Sequence, residues 1–109
     1  MRLAEYQEQT EKYAVYPENM AFQYLVTGLV AEVGELAGHL AKRYRGDENY
    51  RDLKKTHDLL VKELGDILWF VARLSDGLGY RLDDVAILNL EKLKSRAERG
   101  VLKGSGDNR

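Results

Sequence analysis

Two short motifs pair carboxylates at helical spacing: Glu32-Val33-Gly34-Glu35 and Glu63-Leu64-Gly65-Asp66. Residues three apart share a helix face, so each motif presents two carboxylates side by side. At about 100° per residue, Glu32 falls at the edge of its segment's apolar arc. Glu63 falls inside its own arc, among Leu59, Ile67, Phe70 and Leu74. A lone carboxylate there costs several kcal/mol in desolvation and tends to take up a proton. Four carboxylates converging between packed helices would also repel one another, so a cation must compensate. A hard divalent ion fits, because Mg²⁺ takes a few carboxylates and completes its shell with waters and substrate phosphates. Bundle sites for iron need Glu-x-x-His, which is missing here, so Mg²⁺, or Mn²⁺ in its place, is expected. Gly34 and Gly65 sit inside the pairs, where a missing side chain would let another helix or a ligand approach.

The last helical segment offers a cationic complement. Asn89, Lys92 and Arg96 fall along one side of it, bordering Leu82, Ala86, Leu93 and Ala97. Such a strip could hold phosphate oxygens by charge and hydrogen bonds, or be an ordinary snorkelling face. His39 and His57 have no partner at metal-ligand spacing and read as surface residues. Trp69 and Phe70 read as core. Seven tyrosines offer ring faces on which a base could stack. Phosphate-binding glycine loops (Walker A, Gly-x-Gly-x-x-Gly) and the Gly-x-Ser-x-Gly nucleophile turn are all absent.

The elements that must position these groups are all helical. Leu3, Tyr6, Thr10 and Tyr13 recur at three- and four-residue steps, as on one face of a first helix. Pro17, the one proline, biases Tyr16 away from helical angles and marks a turn over residues 15–19. A second helix is expected from about Met20 to Tyr44, its stripe made of Leu25, Leu29, Val33, Leu36 and Leu40 and widened by Val26, Val30 and Ala37. The polar break at residues 46–49 separates it from a third, lying between Arg51 and Leu78. There the run LGDILWFVARL is apolar nearly all round, which predicts a helix at the centre of a bundle. Gly77 and Gly79 should end it. The fourth helix runs from about Leu82 to Arg99, with Asp83 and Asp84 at the favourable end of its dipole. No segment alternates as a strand does. The expected architecture is an all-α four-helix bundle over residues 1–99, followed by a polar tail over residues 100–109.

Composition narrows the function further. The 109 residues fit one domain, and 17 basic against 18 acidic residues give a net charge of −1. That balance supplies no general attraction to nucleic acid or to an anionic membrane. With no cysteine, disulfides, thiolate chemistry and cysteine zinc sites are excluded. The opening MRLAEYQEQTEKYA has no apolar signal-peptide core, and charges interrupt every apolar run, so a cytoplasmic protein is expected. Four helices with such broad apolar faces imply a partner chain, in a homodimer or a tetramer of two dimers.

At these residues the sequence resembles the MazG-like family of all-α nucleoside triphosphate pyrophosphohydrolases. The family pattern is Glu-x-x-Glu, a spacer of roughly a dozen to thirty residues, then Glu-x-x-Asp. The likeness extends through YPENMAFQYLVTGLVAEVGELAGHLAK, ELGDILWFVARLSDGLGY and NLEKLKSRAERG to the tail GSGDNR. The resemblance implies that Glu32, Glu35, Glu63 and Asp66 bind Mg²⁺, and that Lys42, Asn89, Lys92 and Arg96 contact phosphates. It also implies a base resting near Tyr16, Met20 and Tyr24. The implied reaction cuts a nucleoside triphosphate into a monophosphate and pyrophosphate. Two or more Mg²⁺ ions would bridge carboxylates and triphosphate, while Glu32 or Glu35 orients or deprotonates the water attacking the α-phosphorus. Some relatives carry an extra Glu before the first motif, where this chain has Ala31, so no role is carried over to that position. Rival readings are a phosphoribosyl-ATP or alarmone pyrophosphohydrolase, or a non-enzymatic nucleotide-binding or dimerisation module. The tail could reach a neighbouring subunit's nucleotide through Lys103 or Arg109, or be a disordered end.

Overall fold

The computed structural model describes all residues, 1–109, and is entirely helical. Its helices are α1 (Leu3–Thr10), α2 (Ala21–Arg45), α3 (Leu53–Gly77) and α4 (Leu82–Glu98), joined by 3₁₀ turns at Glu11–Tyr13, Glu18–Met20 and Glu48–Tyr50. Glycines in the left-handed region stop the chain where helices end. Gly46 has φ 85° and its N–H reaches the Arg43 carbonyl; Gly79 and Gly100 do the same work after α3 and α4. Asp52 caps the start of α3, its side chain accepting from the Lys55 N–H at 3.1 Å.

α2 and α3 pack against each other along their length as a helical hairpin, and α1 and α4 attach to α3. The face α1 buries differs from the one its periodicity predicts. Thr10 is buried as expected, but Leu3 and Tyr13 are exposed and Gln7 is buried instead. The reason is hydrogen bonding. The Gln7 amide donates to the carbonyls of Ala72 (3.2 Å) and Tyr80 (3.0 Å) and accepts from the Leu82 N–H (2.9 Å). It thereby satisfies a free N–H at the start of α4 from a distant helix. Arg73 donates to the Thr10 hydroxyl (2.9 Å) and the Gln7 carbonyl (3.2 Å), and the Trp69 indole to the Thr10 carbonyl (3.2 Å).

The apolar core is thin: Leu25, Phe70, Ala72 and Leu82. The α3 run expected at a bundle centre is covered on one side only, with Leu64 and Leu68 exposed. The predicted α2 stripe is likewise split, Leu25 buried and Val26, Val30 and Val33 open to solvent. A compact chain of this length has a radius of gyration near 13 Å; here it is 17.0 Å. No helix is long and apolar enough to cross a membrane.

Candidate metal centre

Midway along the α2–α3 hairpin, Glu32, Glu63 and Asp66 each aim one carboxylate oxygen into a group whose atoms all lie within 4.8 Å of one another. The i, i+3 spacing on α3 puts Glu63 and Asp66 on the face that meets α2. Glu35 lies outside this tight group and is exposed, though its charge acts on Glu32 and it contributes to the field on Glu63. Three of the four predicted carboxylates therefore converge, with the fourth at the rim.

The electrostatics show how unbalanced the cluster is. Burial, then contact with Glu63 and repulsion from Glu35 and Asp66, pushes Glu32 up to about 7. Glu63 goes the other way, held below the usual carboxylate range chiefly by a hydrogen bond from His39. Tyr6 on α1 is raised by burial and by the charge of Asp66. Glu32 Oε2 and Glu63 Oε2 are buried without a hydrogen-bond partner. Two buried carboxylate oxygens without partners, on residues clustered with a third carboxylate, suit a hard divalent cation.

His39, expected at the surface, belongs to this site. Its Nε2 lies 3.1 Å from Glu63 Oε1 and its Nδ1 3.0 Å from the Tyr50 hydroxyl. The sequence concealed it because its partners sit on α3 and on the turn that follows α2. No other helix approaches Gly34 or Gly65, since nothing else in the chain lies within 4 Å of where their side chains would be. The close approach occurs at Gly28, where a Cβ would come within 2.3 Å of the Phe70 ring.

Beside Glu32 opens a cavity of about 510 Å³, lined in part by Met20, Gln23, Tyr24, Thr27 and Phe70. Tyr16 stacks on Tyr24 (centroids 5.1 Å apart, rings inclined 24°) and meets Trp69 edge-on at 6.2 Å. Phe70 is thus both core and cavity wall. The aromatic lining and the metal cluster share Glu32.

The cationic residues lie elsewhere. Lys42 is near the end of α2, its Nζ 5.7 Å above the Tyr50 ring. Asn89 and Lys92 line a separate cavity of about 370 Å³ with Tyr80, Val85 and Leu88, and no residue of α4 lines the aromatic cavity. Arg96 is buried against the chain's own tail, its Nη2 donating to the Gly106 carbonyl (3.3 Å) and to Asp107 (3.2 Å) while its Nε is buried without a partner. Lys92 also bonds Asp107, at 3.2 Å. The tail folds back on the end of α4, where Arg99 donates to the Arg109 carbonyl (2.7 Å), and is closed on itself by Arg109 donating to the carbonyls of Val101 (2.9 Å) and Leu102 (3.0 Å).

A helical hairpin with acidic residues facing inward and an aromatic cavity at their edge defines a small all-α protein with a cation-ready centre. The chain belongs to the MazG nucleotide pyrophosphohydrolase domain family, which it matches over residues 20–101. It is 40% identical over 110 residues to the Gene 37 protein of Mycobacterium phage L5, covering 95% of this chain and 96% of that one. It is 35% identical over 74 residues to the uncharacterized protein YvdC of Bacillus subtilis (strain 168), covering 64% of this chain and 70% of that protein. No solved structure matches it.

Proposed function

We propose that the protein hydrolyses a ribo- or deoxyribonucleoside triphosphate to the monophosphate and pyrophosphate, using Mg²⁺ held by Glu32, Glu35, Glu63 and Asp66. One observation supports this reading: Glu32 and Glu63, each with a buried carboxylate oxygen lacking a partner, cluster with Asp66 beside an aromatic cavity. A cavity of about 510 Å³ suits a nucleoside, since small-ligand sites run from about 300 to 1,000 Å³. Tyr24, backed by Tyr16, and Phe70 supply ring faces for the base, placing the phosphates towards Glu32.

Bound Mg²⁺ would supply charge neutralisation on the triphosphate and a lowered pKa for water. The chain's own residues do the rest. The attacking oxygen bonds to the α-phosphorus, the α–β bridging oxygen leaves with pyrophosphate, and a carboxylate of the first motif takes the water's proton. Glu32 or Glu35 is the proposed base, orienting or deprotonating that water. Asn89, Lys92 and Lys42 are the proposed phosphate contacts, and Arg96 would join them only once it releases Asp107.

Pyrophosphate release from a panel of ribo- and deoxyribonucleoside triphosphates, with Mg²⁺ and then with EDTA, tests this. Metal-dependent release with a monophosphate product is expected. No release from any triphosphate by folded, Mg²⁺-loaded protein would sink the proposal, and adding phosphoribosyl-ATP and an alarmone to the panel separates the rival substrates.

A further inference from the structure

Glu63 is held by a hydrogen bond that reaches across from α2 to its Oε1. A carboxylate accepts at Oε1, so the hydrogen-bond pattern assigns the proton of His39 to Nε2. In the neutral ring Nδ1 then accepts, and the Tyr50 hydroxyl donates to it. The His39 side chain is 17% exposed and that of Glu63 11%, so little water competes for these bonds. Tyr50 is itself fixed. Its carbonyl accepts from Arg43 at 2.8 Å and from Thr56 at 3.2 Å, and its ring lies 5.8 Å from that of His39. The turn after α2 is thus tied through two hydrogen bonds to a carboxylate on α3, whose other oxygen, Oε2, is left buried and free.

We infer that His39 is a positioning residue for the cation, bonding Glu63 Oε1 and so fixing the orientation in which the Glu63 carboxylate is presented to it. The inference rests on the reading of the cluster as a metal centre. Groups that orient a metal's ligands commonly account for 10–100-fold of its affinity (about 1.4 kcal/mol per tenfold). Tyr50 sets the ring of His39 in turn and acts one step further out.

The test is Mn²⁺ binding by the full chain, read from the electron paramagnetic resonance of free Mn²⁺, with circular dichroism and melting in EDTA recorded alongside. His39→Leu should weaken binding by about tenfold, and Tyr50→Phe by about threefold. His39→Gln, whose amide can donate in place of Nε2, should stay within about threefold of the parent. A folded His39→Leu protein binding Mn²⁺ as tightly as the parent would overturn the inference. Should that variant fail to fold, unchanged affinity in Tyr50→Phe would overturn it equally. A parent chain that binds no Mn²⁺ overturns the metal-centre reading itself, and parent binding with indifferent variants overturns the positioning role alone.

Discussion

The edge of the Phe70 ring rests on the backbone of Gly28, so close that a Cβ there would lie 2.3 Å from the ring. This contact lets α2 and α3 approach at the level of the aromatic cavity, whose wall both residues form. Phe70 is buried between Trp69, edge-on at 5.0 Å, and Tyr24 at 6.1 Å, so it can yield only towards the cavity. Gly28→Ala gains up to about 1 kcal/mol in helix propensity but overpacks the contact at a cost of about 1–3 kcal/mol. The expected result is a lower melting temperature and a raised KM for the triphosphate with kcat less affected. A variant more stable than the parent with unchanged KM would show that the ring moves freely.

Removing a carboxylate from the cluster should separate activity from stability. Glu32→Gln deletes a buried charge that faces two other carboxylates, so in EDTA near pH 8 the variant should melt higher than the parent. With Mg²⁺ present, Glu32→Gln and Asp66→Asn should each lose at least about a hundredfold in turnover, a few kcal/mol of transition-state stabilisation. Near-full turnover in either would refute the metal assignment.

The pH dependence follows from the two opposed shifts. Between its ordinary value and about 7, Glu32 keeps a proton in the folded chain that the unfolded chain has lost. The unfolded state binds fewer protons there, so stability must fall as pH rises through that window. Glu63, held low by His39, contributes stability at neutral pH that disappears only on acidification below the ordinary carboxylate range. Melting in EDTA should therefore drop from about pH 5 to about pH 7.5, and saturating Mg²⁺ should flatten the profile by replacing the proton. A flat profile in EDTA would mean that Glu32 ionises like a surface carboxylate.

Much of this could be seen in the chain before folding, for reasons that are local. Carboxylates three apart must share a helix face, and Gly46, Gly79 and Gly100 mark helix ends because they adopt the left-handed region there. The α2 limits fell within a residue of expectation for that reason. What stayed hidden depends on pairings between helices. His39 has no partner within its own helix, and the one it finds, Glu63, is 24 residues away. Gln7 joins Thr10 on the buried face of α1, and apolar periodicity overlooks Gln7 because hydrogen bonds, not transfer energy, put it inside. An apolar run such as that of α3 also reads alike whether it faces its own chain or open solvent, and here Leu64 and Leu68 face solvent.

Arg96 anchors the tail. Its guanidinium is buried against Gly106 and Asp107, and Asp107 is held below its ordinary value by Lys92 first and Arg96 second. Arg96→Ala removes the buried half of that arrangement, and Lys92 alone, being partly exposed, holds Asp107 weakly. The tail should then loosen, and limited trypsin digestion should cut after Lys103 many times faster than in the parent. Equal cutting rates would mean that the bond from Arg99 to the Arg109 carbonyl, with those of Arg109 to Val101 and Leu102, holds the tail without Arg96.

The exposed apolar stripes bear on assembly. Val26, Val30, Val33 and Ala37 follow one line along α2, and Val61, Leu64 and Leu68 follow another along α3. Contiguous apolar faces of this kind are uncommon on monomers and mark surfaces that another chain covers. The radius of gyration of 17.0 Å fits a protomer whose core is completed from outside. We propose a homodimer, or a tetramer of two dimers, with these stripes in the interface. Sedimentation should give at least twice the 12.5 kDa chain mass. Val30→Asp, which leaves the carboxylates untouched, should shift the protein towards monomer and lower its melting temperature at dilute concentration. A parent protein sedimenting as a stable 12.5 kDa species would refute the assembly. An assembled Val30→Asp variant would move the interface to another face, with the exposed Ile87 and Leu90 of α4 the next to substitute.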